Sequence, residues 1–154
     1  MIRNVLPDDK TVFLSMAKDF YSSDAAAHNV ESRILEAVFD AAVSNSPYIR
    51  ALIIEDGNNP VGFALLSFSF ATEVGGLSVQ LEDLYISDTC RGKGLGSKFM
   101  AFMESEYPSA KRFRLEVAKD NTGAIDLYRR LGYEVLEYVQ MVKDGHNEEK
   151  GRSQ

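Results

Sequence analysis

The chain has 154 residues, 45% hydrophobic and 26% charged, a balance that suits one soluble globular domain with a sizeable core. Its 17 basic and 23 acidic residues give a formal charge of -6, which argues against a general nucleic-acid binder, since affinity for phosphate backbones needs a basic surface. A single cysteine, Cys90, leaves no internal disulfide, and the longest apolar stretch, residues 61–71, is too short and too broken to span a bilayer.

The start, residues 1–5, is too polar for a signal peptide, so a cytoplasmic protein without membrane attachment is expected. Residues 2–5 read as a first strand, broken by Pro7-Asp8-Asp9. Residues 11–21 carry helical spacing, with Val12, Met16 and Phe20 one turn apart and Phe13 and Ala17 beside them. A second helix follows, with Ile34, Val38 and Ala41 on one stripe and Leu35 and Ala42 next to it. Asn45-Ser46-Pro47 ends it. Residues 49–54 and 61–72 flank the turn cluster 56–60 and read as an antiparallel hairpin. Gly75-Gly76 turns the chain into a strand over residues 77–86. Past a glycine-rich loop comes an amphipathic helix with Leu95, Phe99, Phe102 and Met103 on one face. Residues 113–117 form a strand and residues 121–131 a short helix capped by Gly132. Residues 133–142 form the last strand, and residues 144–154 a polar tail. The domain is expected to span residues 1–143. The order β-α-α-β-β-β-α-β-α-β predicts an α/β fold of the α+β type, with a mixed, mostly antiparallel central sheet and helices on both faces.

The loop Arg91-Gly92-Lys93-Gly94-Leu95-Gly96 has three glycines in five positions, right after a strand and opening a helix. Glycine permits tight turning and close approach of a ligand to backbone N–H groups. The first helical turn adds unpaired donors and a partial positive charge, and Arg91 and Lys93 add full charges. A phosphate or pyrophosphate suits such a place, although a helix-capping turn would use the same glycines. The run is not a P-loop, and Ser97 stands where a dinucleotide fingerprint needs its third glycine.

Arg91-x-x-Gly94-x-Gly96 resembles the acyl-CoA pyrophosphate loop of the GNAT superfamily of N-acetyltransferases. A second run, Asn121-x-x-Ala124-x-x-x-Tyr128-x-x-x-Gly132-Tyr133, resembles the family's second cofactor motif at the expected distance. Asp88 stands where many members carry proline, a departure expected to affect loop stiffness more than chemistry. The resemblance implies an enzyme moving an acetyl group from acetyl-CoA, as co-substrate and without a metal, to a primary amine. It implies direct transfer in a ternary complex.

The resemblance further implies that the backbone of Leu84, Tyr85 and Ile86 pairs with the pantetheine arm, entering where the fourth and fifth strands splay. N–H groups from Arg91 through Gly92, Lys93, Gly94, Leu95, Gly96 and Ser97 would hold the pyrophosphate, and Ile86 N–H would face the oxyanion. Asn121 would hydrogen-bond the cofactor, and it is also a good helix N-cap. Tyr128 would be the acid that protonates the thiolate. Read from the residues alone, it is a core tyrosine on the apolar stripe of Ala124, Leu127 and Leu131. Lys98 or Arg129 would meet the 3′-phosphate.

Glu82 is the expected base for the amine and Asp83 the alternative, since regular alternation puts these neighbours on opposite faces of the strand. Both would also contact the acceptor, together with Tyr21 and Asp24 in the link between the first two helices. Acidic and aromatic residues there, with Asp19 and Phe20, suit a small cationic amine. A protein N-terminus or lysine side chain as acceptor, or a non-catalytic acyl-CoA-binding module, are the competing readings. Cys90 is read as structural, because both histidines, His28 and His146, lie far from it in sequence. The last strand is available to pair across a homodimer.

Overall fold

The computed structural model describes residues 1–23, 26 and 29–145. A five-stranded sheet runs in the order β1 (Ile2–Asn4), β2 (Ile49–Asp56), β3 (Asn59–Ala71), β4 (Gly76–Ile86) and β5 (Arg112–Leu115). The first three neighbouring pairs are antiparallel and β4–β5 is parallel, so the mixed, mostly antiparallel sheet is as expected. The helices are α1 (Lys10–Tyr21), α2 (Ser32–Val43), α3 (Leu95–Glu106) and α4 (Thr122–Arg130).

Alternation along β2 and β3 divides the core into two layers. Ala51, Ile53, Phe63 and Leu65 pack against Phe13, Met16, Ala17 and Phe20 of α1 and Leu35 and Phe39 of α2. On the other face Leu52, Ile54, Ala64 and Leu66 pack against Phe99, Met100 and Met103 of α3, with Tyr128 of α4 at the margin. Helices thus cover both faces. The α2 stripe is rotated from expectation: Ile34 is exposed, and Leu35 and Phe39 are buried instead. Phe39 meets Phe13 at 5.4 Å between ring centroids, and Phe13 meets Phe63 at 5.1 Å. Those large rings outweigh the smaller Ala41 in setting which face turns inward.

Two further expectations change. Residues 133–142 follow α4 but form no strand, and Val135, Tyr138, Val139, Met141 and Val142 are exposed. Their β-type composition is not enough, because pairing makes a strand and the stretch does not join the open edge of β5. The alternation of Glu82 and Asp83 also fails, because Leu65 pairs with Asp83 while Leu66 pairs with Leu81, leaving Glu82 as the extra residue of a β-bulge. Of the expected polar tail, residues 146–154 lie outside the described residues, as do Asp24 and His28. No helix among the described residues is long and apolar enough to cross a membrane.

Candidate functional site

The bulge brings both carboxylates to one face. Asp83 pairs with Leu65, so its side chain points to the α1–α2 side of the sheet. Glu82 points there too, accepting a hydrogen bond from the hydroxyl of Ser67, which lies on that same face of β3. Asp83 is only 9% exposed and accepts a hydrogen bond from the Tyr21 hydroxyl at the end of α1. Burial pushes the Asp83 carboxyl up to about 6; the Tyr21 hydrogen bond opposes that rise, and the charge of Glu82 adds to it. Tyr21 is in turn held well above the ordinary phenol range by burial and by Asp83. Sequence reasoning named these three residues but gave no signal for Ser67 or for the bulge that joins them.

The β4–β5 ladder ends at Leu81 and Leu115, while β4 continues to Ile86. This is the expected splay. Antiparallel pairs alternate between bonded and non-bonded positions. Ser87 N–H donates to Val61 O at 2.8 Å, which sets the phase. Tyr85 is then bonded to Phe63 of β3, whereas the N–H and C=O of Leu84 and Ile86 point away from β3 into the splay. Two of the three expected residues, Leu84 and Ile86, therefore keep backbone groups that β3 does not use, and Tyr85 keeps only its ring. That ring stacks on Phe63 at 5.8 Å.

At the open end of β4 a single helical turn, Asp88–Cys90, leads into the glycine loop. Gly92 and Gly94 have φ of +76° and +77°, and a Cβ on either would meet nothing within 4 Å. The left-handed backbone explains the glycines, and the open space admits a ligand. The first α3 hydrogen bond runs from Lys98 N–H to Gly94 O at 3.0 Å, so the N–H groups of Leu95, Gly96 and Ser97 precede the ladder. These residues fit a pyrophosphate. The two cations are not free, however: Arg91 pairs with Asp88 at 2.9 Å and donates to Ile86 O at 3.1 Å, and Lys93 pairs with Asp56 at 3.4 Å. Asp88 therefore acts on the charge of the loop, beyond the stiffness expected of it. These exposed pairs are weak enough to yield to a phosphate. Cys90 is buried beneath the loop, with Lys93 Nζ 3.9 Å from its sulfur.

Asn121 caps α4, accepting from Ala124 N–H at 3.3 Å. The helix closes on Gly132, at φ +90°, with Gly132 N–H bonded to Arg129 O and Tyr133 N–H to Tyr128 O, both at 3.0 Å. This paired arrangement brings the residue after the glycine against the last turn. The Tyr133 ring accordingly lies 6.0 Å from that of Tyr128. Tyr128 is half-buried, and that burial raises its pKa. Lys98 is exposed on the first turn of α3 and Arg129 on the last turn of α4.

A family model described as "Acetyltransferase (GNAT) family" matches residues 13–133. The pig thialysine N-epsilon-acetyltransferase is 31% identical over 63% of this chain, and the chain spans 62% of that relative's length. The mouse protein of the same name is 27% identical over 88% of this chain and 84% of its own. The solved structure of AAC(6')-Iy in complex with a bisubstrate analog, CoA-S-monomethyl-acetylneamine, superposes with a TM-score of 0.76 at 14% identity, covering 95% of this chain and 98% of that one; it shares the fold. The family match covers the glycine loop, the run from Asn121 to Tyr133 and the bulged strand between α2 and the glycine loop, and the chain belongs to the GNAT acetyltransferase family.

Proposed function

We propose that this protein is an acetyl-CoA-dependent N-acetyltransferase that moves the acetyl group to a primary amine of a small cationic acceptor by direct transfer. The observation that carries the acceptor class is the bulge at Glu82, which puts Glu82 and Asp83 on one face beside Tyr21. Two carboxylates and a phenol suit an ammonium group. The pig and mouse relatives, by name, act on thialysine, itself a small amine.

Acetyl-CoA supplies the activated thioester. Asp83, with its carboxyl raised to about 6, is ionised at neutral pH yet basic enough to take a proton from the bound ammonium, directly or through a water. Glu82 holds the positive charge of the acceptor. The N–H of Ile86, aimed into the splay, is placed to stabilise the developing oxyanion. Tyr128, whose pKa burial raises, gives its proton to the departing thiolate. Leu84 and Ile86 pair with the pantetheine arm, and the loop from Gly92 to Ser97 holds the pyrophosphate.

Thiol release from acetyl-CoA in the presence of polyamines, amino acids with side-chain amines, aminoglycosides and peptides tests the reading. Turnover with small diamines is expected, with a raised KM in E82Q. Cofactor binding without turnover of any amine would overturn it.

A further inference from the structure

The sheet face that carries Glu82 and Asp83 continues onto β5. Gln80 of β4 pairs with Ser67 of β3 on one side and with Arg114 of β5 on the other, and paired residues share a face. Leu81, Phe113 and Leu115 pack with α3 on the opposite side. Gln80 and Arg114 therefore point to the side of Ser67, Glu82 and Asp83. Both are half-buried, and neither side chain makes a hydrogen bond or ion pair among the described residues. Arg112, the other cation of β5, is paired with Glu73 at 2.9 Å. Glu73 also feels the charge of Arg114, but its two oxygens are taken by Arg112 and Tyr138. Arg114 lines a cleft of about 660 Å³ beside β5, which leaves room next to it. One face thus holds two carboxylates and, a short way back along the strands, a guanidinium and a carboxamide without partners.

We propose that Arg114 and Gln80 form a subsite for a carboxylate of the acceptor, so that the preferred acceptor is an amino acid with a side-chain amine rather than a plain diamine. The inference rests on the proposed function and adds an anionic group to its acceptor. A half-buried guanidinium without a counter-ion gains most from an anion that takes two parallel N–H bonds, and a carboxylate matches that fork. The Gln80 amide adds a further donor beside it. Gln80 and Glu82 lie about 7 Å apart along the strand, a span that the side chain of lysine or ornithine covers. The opposite charges then orient the acceptor. Its side-chain ammonium faces Glu82 and Asp83 beside the splay, and its carboxylate faces β5. A diamine offers only cations, and its second ammonium is repelled by Arg114.

Steady-state acetylation of lysine and ornithine, set against their decarboxylated counterparts cadaverine and putrescine, reads the subsite in the unmodified chain. The amino acids are expected to show a KM about tenfold lower, the effect of one charge-assisted pair. R114Q, with its fold checked by circular dichroism and melting, is expected to raise the KM of the amino acids by a similar factor while kcat changes little. The same change is expected to lower the KM of the diamines, since a like charge is gone, and R114K to restore part of the preference. A wild type that takes diamines as well as or better than the amino acids overturns the proposal, as does an R114Q that shifts both kinds of acceptor alike. Calorimetric titration of the coenzyme A-loaded protein with lysine and with cadaverine makes the comparison without turnover. A lysine preference that depends on Arg114, in a protein that acetylates neither, counts against the proposed function alone.

Discussion

Tyr21, the last residue of α1, donates a hydrogen bond to Oδ2 of Asp83 on β4, 62 positions further along the chain. The bond ties the end of α1 to the carboxylate beside the splay. It also limits the rise in that carboxylate's pKa: burial raises it to about 6 while the Tyr21 hydroxyl, which bonds best to the ionised form, holds it down.

A base must be ionised to act, so kcat/KM is expected to rise with pH through about 6 and level off above it, as the Asp83 carboxyl loses its proton. D83N is expected to remove that limb and to lower kcat/KM by about a hundredfold. Y21F removes the bond that lowers the pKa, so its limb moves to higher pH. A pH–rate profile of the three proteins checks both shifts.

The same carboxyl links stability to pH. Its pKa is raised from 3.8 to about 6 on folding, so between those values the folded chain holds a proton that the unfolded chain has released. Stability is therefore expected to fall as pH rises from about 4 to 6, and D83N to lose this dependence. Chemical unfolding at pH 4 and pH 7 measures it.

Y128F keeps the packing of Tyr128 against Tyr133 and deletes the hydroxyl. Coenzyme A affinity is expected to persist while kcat drops by about a hundredfold, within the usual range for a positioned acid. Unchanged kcat with any accepted amine removes Tyr128 from the mechanism.

Asp88 neutralises Arg91 in the structure, at 2.9 Å. D88N is expected to tighten coenzyme A binding severalfold at low salt and to have little effect at high salt, where exposed charges are screened. G94A acts in the opposite direction. At φ +77° an alanine costs about 1–2 kcal/mol, so the melting temperature falls and coenzyme A affinity weakens. Calorimetric titration at two ionic strengths separates the two effects.

F63A tests the core between the sheet and α1. Phe63 is fully buried and meets Phe13, Phe20 and Tyr85. A loss of about 3–5 kcal/mol is expected in denaturant unfolding.

Residues whose roles follow from neighbours in the chain were readable directly. The glycines at 92, 94 and 132 announced left-handed backbone, and Asn121 announced a helix start, because those preferences are local. The two motifs around Gly94 and Tyr128, with the alternation of helices and strands, were enough for the family and the mixed sheet. What escaped depended on partners far away in sequence. The rotated face of α2 was set by Phe39 meeting Phe13. The missing strand at 133–142 turned on pairing, since the stretch does not join the open edge of β5. Most of all, period-two alternation put Glu82 and Asp83 on opposite faces, and a single extra residue against Leu65 and Leu66 put them on one. The sequence determined which carboxylates were present. The register between two strands, which no local pattern encodes, decided that they share one face.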